Sequence, residues 1–473
     1  MFELFVAVLL GVFAVLATFF LRTKRAERGK LIPGWNNHAA DKEMGDLRKA
    51  ISCGSLHHYL LQQHRGGRCP VTSFWWGDQH VVSVCSPEAF KATENMYDKP
   101  KQLFAQFTEP LHGCNSIQSV NGTEWKERKK LHANIKGRKL ESFFSDFVQI
   151  AQETEMMWSP GKPIRLMREM FRMLLKGILT TSLGNIFEDN SGIEELANTY
   201  HLCKCEMDRR ILDVPPSPNS QRELEFQQNL KHLQDCLRQM IQARKDQKDR
   251  KALPLLDALL ESAASEDQLL ADMTTYLGGF HTAGYYALWT FYYLAQHLDV
   301  QEKLFGEVKD RVGGECGEKL KAYTLTSNSF LRQILDESLR ISITASFDGH
   351  CSEQDTIVGG YHVPANTPII QAIGVTMNDE AIWENPDCFN PDRFSPGSKH
   401  AKRGVEFRPF GISHTRRCPA KQFIYFMVSV YITILVQRFV FLTVDEQEPE
   451  KNYGIATSPR DEIHIQVKLR CQE

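Results

Sequence analysis

Residues 407–420 are Phe-Arg-Pro-Phe-Gly-Ile-Ser-His-Thr-Arg-Arg-Cys-Pro-Ala, and the apolar and aromatic run that follows predicts a helix over residues 420–438. Cys418 therefore lies just before a helix N-terminus, where unpaired N–H groups and the helix dipole favour a negatively charged sulfur. The chain has 12 cysteines, and each is expected to be a small buried side chain without chemistry of its own. The position of Cys418 makes it the candidate exception, a thiolate ligand.

Three segments elsewhere place charged and aromatic residues at regular spacings. Glu337 and Arg340 are about one turn apart in a predicted helix, and residues 389–394, Phe-Asn-Pro-Asp-Arg-Phe, bring a further arginine. Trp125 and Lys129 are four residues apart, hence on one face of another predicted helix. Each pair alone is common on protein surfaces, so only the order of the segments along the chain is informative.

Together with residues 407–420, these segments resemble the cytochrome P450 superfamily in order and spacing, and the resemblance covers essentially the whole chain. It implies that Cys418 is the thiolate ligand of haem b (iron protoporphyrin IX), because thiolate donation favours O–O cleavage at the iron. It also implies a buried ion triad that stabilises the haem loop, and several residues that bind the haem propionates. The triad is Glu337, Arg340 and Arg393, and the propionate-binding residues are Trp125, Lys129, Arg416 and His350.

The haem loop departs from the family's pattern. Phe410 lies one residue too far from Cys418, and Ile412 and His414 stand where the pattern has glycines. Lys129 replaces the family's arginine, so a propionate would meet a point charge instead of a bidentate fork. Residues 52–57 and 73–77 look most like the orphan family-20 branch of animals, which is also known for altered haem-loop and distal-helix sequences.

The longest periodic apolar run, residues 266–298, predicts a helix through the core, and glycines within it predict a close backbone approach or a ligand. Residues 277–283 align with the family's Ala-Gly-x-Asp/Glu-Thr-Thr, which implies that Thr282 relays protons to bound dioxygen. His281 stands where the family has an acid. Two interpretations stay open: His281 shuttles protons in place of the acid, or it is turned away from the pocket as an ordinary polar residue.

The activity that the resemblance implies is a monooxygenase that inserts one oxygen atom from O2 into an apolar substrate such as a sterol or fatty acid. Electrons are expected from NADPH through a separate NADPH-cytochrome P450 reductase, with cytochrome b5 as a second donor. The residues expected to line the substrate pocket are Phe104, Phe107, Phe280, Ala283 and Phe347. The basic residues expected to meet an acidic reductase surface are Arg408, Arg416, Arg417 and Lys421.

Two other functions stay open. Thiolate-haem isomerases rearrange peroxides without a reductase, and they commonly lose both the acid and the threonine of the distal helix. A haem sensor or carrier would bind the cofactor without turnover. Because Thr282 is retained, the sequence favours oxygen activation over the isomerase.

Composition and pattern predict the fold class and the domain organisation. Short β-rich runs near residues 70–85 and 358–370 stand within a mainly helical chain, so the class is mainly α with a smaller β part (α+β), a cytochrome P450 fold. A net charge of −2 gives no case for nucleic-acid binding. Apolar content of 42% and the absence of low-complexity segments predict a globular body, residues 36–473, as a single catalytic haem domain.

The N-terminus has the pattern of a membrane anchor. Residues 4–21 are uncharged and apolar, and five basic residues follow within residues 22–30. We expect a transmembrane helix as a membrane anchor over residues 1–21, and a basic and proline hinge over residues 22–35. We also expect an endoplasmic reticulum location with the body on the cytosolic side. A cleaved signal peptide is the competing interpretation, but the charge follows the apolar run and no clear cleavage site separates them.

Overall fold

The computed structural model describes residues 31–34, 41, 44–65, 69–131, 140–246, 252–444 and 447–470. The predicted anchor, residues 1–21, and most of the predicted hinge lie outside the described residues. Where the structure describes the chain, it contains no helix with the length and apolarity needed to span a bilayer. The described end of the hinge packs on the body: Ile32 is buried, and the Pro33 carbonyl accepts a hydrogen bond from the Ser73 N–H at 2.9 Å.

The helices are α1 (Leu47–Ser52), α2 (Leu56–Arg65), α3 (Pro87–Thr93), α4 (Lys101–Ala105), α5 (Glu109–His112), α6 (Gly122–Arg128), α7 (Phe144–Met157), α8 (Leu166–Ile178), α9 (Asn190–Leu212), α10 (Gln221–Asp246), α11 (Pro254–Ser262), α12 (Glu266–Leu277), α13 (Gly279–Gln296), α14 (Leu298–Val312), α15 (Glu318–Leu325), α16 (Phe330–Ser342), α17 (Ile373–Met377) and α18 (Lys421–Arg438). Short 3-10 segments span Leu140–Phe143 and Pro391–Phe394, and a π-helical turn spans Leu179–Leu183.

The strands are β1 (Val71–Trp76), β2 (Gln79–Val84), β3 (Ile164–Arg165), β4 (Asp348–His350), β5 (Thr356–Val358), β6 (Tyr361–Val363), β7 (Ile369–Gln371), β8 (Phe439–Thr443), β9 (Lys451–Tyr453), β10 (Thr457–Pro459) and β11 (His464–Leu469). The largest sheet has the order β1-β2-β7-β4, in which β1 and β2 form an antiparallel hairpin within the predicted β-rich run and β2 pairs with β7 in parallel. The other sheets have the orders β3-β11-β8, β9-β10 and β5-β6. Helices therefore dominate, as predicted.

The central helix is interrupted where the sequence predicts one continuous helix. α12 ends at Leu277 and α13 begins at Gly279, so Gly278 lies at the break. A Cβ at Gly278 would lie 2.0 Å from the Tyr200 hydroxyl of α9, and one at Gly284 would lie 2.4 Å from the Phe171 ring of α8. At these two positions, close approach of aromatic side chains is the reason for glycine.

Candidate active site

The loop before α18 is closed by a backbone hydrogen bond. The Cys418 N–H donates to the Phe410 carbonyl at 3.0 Å, and Gly411 adopts a φ of +100°, which a residue with a side chain rarely adopts. Cys418 itself is exposed, and α18 begins three residues later at Lys421. The loop thus presents a thiol at its surface just before a helix N-terminus.

The middle of this loop is held against the segment that follows α3. Ile412 and Ser413 are both 1% exposed, and the Ser413 hydroxyl donates to the Met96 carbonyl at 2.6 Å. The His414 N–H donates to the Glu94 carbonyl at 2.7 Å, and the His414 ring lies 3.1 Å from the Glu94 carboxylate. The residues that replace the family's glycines therefore anchor the loop.

Arg416 binds backbone carbonyls of the segments before and after α5. Its guanidinium donates to the carbonyl oxygens of Tyr97 at 2.7 Å, Ile117 at 3.0 Å and Val120. Burial lowers the pKa of Arg416 to about 9, despite nearby acidic groups. All three guanidinium nitrogens donate to backbone carbonyls, so Arg416 holds the loop against these segments. Propionate binding by Arg416 stays a prediction.

Trp125 and Lys129 share one face of the α6 region, as their spacing predicts. Trp125 is 2% exposed and stacks on Tyr97 with ring centroids 5.9 Å apart. The Lys129 Nζ lies 5.0 Å from the centroid of the Trp125 ring, and the Arg416 guanidinium lies 4.2 Å from the same centroid. Trp125 thus joins the haem loop to α6, while propionate binding by Lys129 stays a prediction.

A second pair ties α6 to the central helix. Arg128 donates to both carboxylate oxygens of the buried Asp272, at 2.6 and 2.7 Å, and the Ile117 N–H donates to the same carboxylate at 2.6 Å. Sequence reasoning singled out Lys129 and overlooked its neighbour Arg128. No local pattern could have shown the pair, because 144 positions separate its members.

His350, on β4, is fully buried beside a carboxylate and a lysine. Its Nε2 lies 3.1 Å from Asp348 Oδ2, and the Lys99 Nζ lies 2.5 Å from Asp348 Oδ1. Burial alone would raise the pKa of Asp348, but Lys99 and His350 hold that pKa well below its usual range. Nδ1 of His350 is buried and has no hydrogen-bond partner among the described residues. Such an atom is expected to meet a ligand or ordered water.

Glu337, Arg340 and Arg393 lie together in the core. Arg340 donates to both Glu337 carboxylate oxygens at 2.8 Å, and Arg393 Nε donates to Glu337 Oε1 at 3.2 Å. Glu337 is fully buried and Arg340 is 1% exposed. The Asn390 N–H donates to Glu337 at 3.0 Å, so the carboxylate also fixes the backbone of the segment that leads to the haem loop.

Asp336, next to Glu337, forms a network that sequence reasoning missed. Its fully buried carboxylate accepts from Arg332 at 3.2 Å, from Arg403, and from the Tyr425 hydroxyl at 2.5 Å. The Arg332 guanidinium also lies 3.5 Å from the centroid of the Tyr425 ring. Asp336 therefore connects α16 to α18, the helix that follows Cys418, and to the chain before the loop.

The Asp336 network predicts that the Tyr425 hydroxyl contributes measurably to the stability of the protein. We expect Tyr425→Phe to lower the free energy of unfolding by about 1.5–3 kcal/mol, since its hydroxyl binds a charged acceptor. Tyr431→Phe on the same helix is the matched control, because the Tyr431 hydroxyl donates to the neutral Met173 carbonyl at 3.2 Å; its loss should cost about 0.5–1.5 kcal/mol. Urea unfolding measures both, and equal losses would show that Asp336 gives no charge-assisted bond.

The central helix is exposed along one stripe. Between residues 269 and 295, all residues are buried except Thr275, Tyr276, Gly278, Gly279 and Thr282. Thr275, Gly279 and Thr282 have the spacing of one helix face, so open space borders that face. We call it the open stripe.

The haem loop lies against the same side of α13. Tyr286, one turn after Thr282, has its ring centroid 6.3 Å from that of Tyr425, and Tyr425 lies 5.3 Å from Phe410. Phe410 is the residue whose carbonyl binds Cys418. This series of contacts joins Cys418 to the helix that carries the open stripe.

Thr282 differs from the other threonines of the central helix. Thr274 and Thr290 each donate to the carbonyl four residues earlier, at 2.8 Å. The Thr282 hydroxyl has no hydrogen-bond partner among the described residues, and the side chain is partly exposed. Its hydroxyl is therefore available to a molecule in the open space.

His281 is turned toward α8 and α9. Its Nε2 lies 3.1 Å from Nδ1 of His201 on α9, and its ring packs 4.9 Å from that of Phe171 on α8. Burial, followed by the charges of His201 and Lys204, lowers the pKa of His281 well below its usual value. Of the two open interpretations, this placement favours the second, a histidine turned away from the pocket.

Three of the predicted pocket residues form an aromatic cluster with Trp76 of β1. Phe107 stacks on Trp76 with centroids 5.8 Å apart, Phe104 lies 5.0 Å from Phe107, and Phe347 lies 6.4 Å from Trp76. Phe104 and Phe107 are nearly buried, whereas Phe347 is partly exposed. Phe347 is thus the member with surface available to a ligand.

The other two predicted pocket residues lie on α13. Phe280 is fully buried and packs 5.6 Å from Phe171 and 5.3 Å from Tyr200, on the side of α8 and α9. The Phe280 ring therefore faces α8 and α9, whereas the sequence predicted it in the wall of the substrate pocket. Ala283, beside Thr282, is 5% exposed.

The family model for cytochrome P450 matches residues 50–467 of the chain. The chain belongs to the cytochrome P450 family. Its similar relatives include the protein "Cytochrome P450 20A1" from Mus musculus, 29% identical over 93% of both chains, and that from Homo sapiens, 26% identical over 91% of this chain and 92% of the relative. "Cytochrome P450 4c21" of Blattella germanica is 23% identical over 85% of this chain and 86% of the relative.

Solved structures match the fold of this P450. The heme domain of cytochrome P450DA superposes with a TM-score of 0.79 at 18% identity, covering 94% of this chain and 98% of that one. Retinoic acid bound cyanobacterial CYP120A1 superposes with a TM-score of 0.78 at 20% identity, covering 93% and 100%. These matches confirm the predicted P450 fold, and the family assignment confirms a haem-thiolate monooxygenase.

The residues of this P450 fit a haem. Cys418 offers an exposed thiol before a helix N-terminus, and the cations Lys99 and Lys129 lie in segments that the loop contacts. The buried Nδ1 of His350 offers a hydrogen-bonding atom without a partner among the described residues. Cys418 would bind the iron, while His350 and Lys129 would bind propionates.

Proposed function

We propose that this P450 inserts one oxygen atom into an apolar substrate, sterol-like or fatty-acid-like, with electrons from NADPH through a separate reductase. Thr282 carries the proposal. It is the family's proton-relaying threonine, it lies on the open stripe, and its hydroxyl is not used within the helix. A protein that only stored haem would have no need of such a hydroxyl.

Cys418 would hold the haem, which would supply dioxygen activation, and donation from the Cys418 thiolate would favour O–O cleavage. The protein's own contribution is positioning, proton delivery and exclusion of water. The Thr282 Oγ1 would accept a proton from a water molecule on one side and donate its own hydroxyl proton on the other. The buried faces of α13 around it limit other routes for water.

Thr282→Ala tests the relay. We expect the fraction of NADPH electrons recovered in product to fall severalfold while hydrogen peroxide release rises. The reason is that the substitution slows proton delivery but leaves electron transfer from the reductase unchanged. His281→Gln is the matched control, since its ring contacts α8 and α9, and it should leave the coupling ratio near the wild-type value. Product, NADPH and peroxide are quantified in one assay. A larger loss of coupling in His281→Gln would assign the relay to His281.

The monooxygenase and its two alternatives predict different results in two turnover assays. For a monooxygenase, we expect consumption of NADPH with reductase to exceed turnover of an organic hydroperoxide without reductase. Turnover with the hydroperoxide alone would favour the peroxide-rearranging isomerase, and no turnover in either assay across a panel of lipids would favour the sensor or carrier.

We propose NADPH-cytochrome P450 reductase as the electron donor and cytochrome b5 as a second one. A basic surface near the haem loop supports this, since electrostatic complementarity speeds encounter. Lys421 is exposed, and Arg408 and Arg417 are partly exposed. Arg416 does not belong to this surface, because its guanidinium binds backbone carbonyls.

We propose that residues 1–21 anchor the chain in the endoplasmic reticulum membrane, with the body in the cytosol. The support is the uncharged apolar run over residues 4–21 and the basic residues that follow it. A bilayer-spanning anchor keeps the full chain in the membrane pellet after alkaline extraction. Release into the supernatant would contradict it.

A further inference from the structure

Asp348 lies between three donors, which keep its carboxylate ionised. Its Oδ1 accepts from the Lys99 ammonium at 2.5 Å and from the Gly349 N–H at 2.8 Å. Its Oδ2 lies 3.1 Å from Nε2 of His350. An ionised carboxylate only accepts hydrogen bonds, so the proton of the contact between Asp348 and His350 lies on Nε2 of the ring.

The proton on Nε2 determines what the other ring nitrogen of His350 can do. A neutral imidazole carries one proton, so Nδ1 is then an acceptor. Nδ1 is buried and has no hydrogen-bond partner among the described residues. The haem propionate that His350 would bind is also an acceptor near neutral pH. Two acceptors cannot share a hydrogen bond, so His350 must carry a second proton, on Nδ1, to bind a propionate.

The charges around His350 favour a neutral ring until an anion is beside it. The ring is fully buried on β4, and Ile369 of the neighbouring β7 is its apolar partner in the sheet. Burial and then Lys99 lower the pKa of His350, Asp348 opposes them, and Arg416 of the haem loop lowers the pKa further. An anion near Nδ1 would act in the opposite direction, because it favours the charged form of the ring.

We propose that His350 takes up one proton from solvent on haem binding, and that the resulting imidazolium donates from Nδ1 to a haem propionate and from Nε2 to Asp348. The only covalent bond formed in the protein by this step is the Nδ1–H bond. Asp348 and Lys99 are positioning residues, because they act on the propionate through the ring of His350. Haem retention therefore depends on pH.

The direction of this dependence follows from the pKa of His350 in the two states. Without haem the pKa is below its usual value, and a bound propionate raises it. The contribution of the imidazolium to haem binding is complete at low pH, and it is lost as the pH rises through the raised pKa of the haem-bound protein. Loss of this charge-assisted hydrogen bond should speed haem release by about tenfold or more.

Transfer of haem from the full-length holoprotein to an excess of apoglobin measures this release by Soret absorbance. Between about pH 6 and about pH 9, the wild-type rate should rise about tenfold. The rate for His350→Arg should stay nearly constant, because the guanidinium remains charged over this range. His362→Arg is the matched control: Nε2 of His362 lies 3.0 Å from Asp355 Oδ2, in an exposed pair on the β5-β6 hairpin and the residue before it. Its profile should match that of the wild type.

A second comparison needs no substitution. The wild-type protein is reconstituted with the dimethyl ester of iron protoporphyrin IX, in which neither propionate carries a charge. Release of the ester should be nearly independent of pH, because the imidazolium has no anion to bind. If His350→Arg retains no haem, the comparison of the two cofactors in the wild-type protein decides the question.

Three results would each overturn the inference: a wild-type rate that does not rise with pH, a wild-type profile in His350→Arg, or the same rise with the ester as with native haem. A change of the profile in His362→Arg equal to that in His350→Arg would also overturn it, since the effect would not be specific to the propionate site. The measurements use neither substrate nor reductase, so their outcome is independent of the proposed function.

Discussion

Cys418→Ser is expected to abolish the red-shifted Soret band of the reduced carbon monoxide complex and to bring reductase-driven turnover to background. The serine oxygen keeps the size of the side chain but does not ionise near pH 7, so the strong electron donation of a thiolate is lost. The loop itself should persist, because its closure depends on the Phe410 carbonyl and the Cys418 N–H. The variant is therefore expected to fold and to differ in ligation.

Cys114→Ser is the matched control for this change. Cys114 is also exposed, but it lies in the segment before α6 and has no place in the haem loop. Its substitution should leave both the band and the turnover unchanged. A wild-type band at the position typical of histidine ligation would contradict the assignment of Cys418 as the ligand.

The sequence predicted those parts of the site whose residues are close together along the chain and form a recognisable local pattern. Glu337 and Arg340 are one turn apart on a helix, and the proline turn before Arg393 has a recognisable composition. Their contacts follow from the fold, and the structure brings all three together at hydrogen-bonding distances.

The parts that sequence missed depend on contacts between distant segments. Lys99 and Asp348 are 249 positions apart, and Arg416 reaches carbonyls about 300 positions earlier. A spacing pattern contains no information on such pairs, because the chain must fold before they meet.

The motif also did not predict which side of the helix each of its side chains faces. Residues 281 and 282 are adjacent in sequence but about 100° apart around the axis. The motif assigned both to one site, whereas α8 and α9 pack against His281 and leave Thr282 partly exposed. Phe280 is directed away for the same reason.

Glu337→Gln is expected to lower the free energy of unfolding by about 3–5 kcal/mol, the usual cost of removing one member of a buried ion pair. The amide keeps the shape of the side chain, but it leaves the 1% exposed Arg340 guanidinium without a countercharge. Arg393 loses the same partner, and the backbone at Asn390 loses a charged acceptor. Haem retention should fall with stability, since this segment leads into the haem loop.

Asp392→Asn gives the comparison that makes the Glu337 result interpretable. Asp392 lies in the same 3-10 segment as Arg393 and pairs with Lys303 at 2.9 Å, but both members of this ion pair are more than half exposed, Lys303 at 55% and Asp392 at 61%. An exposed pair of this kind should change stability by less than about 0.5 kcal/mol. Urea unfolding of the two holoproteins, followed by tryptophan fluorescence and by Soret absorbance, measures both effects. If Glu337→Gln lost no more than Asp392→Asn, the triad would not stabilise the loop, because burial is the physical difference between the two carboxylates.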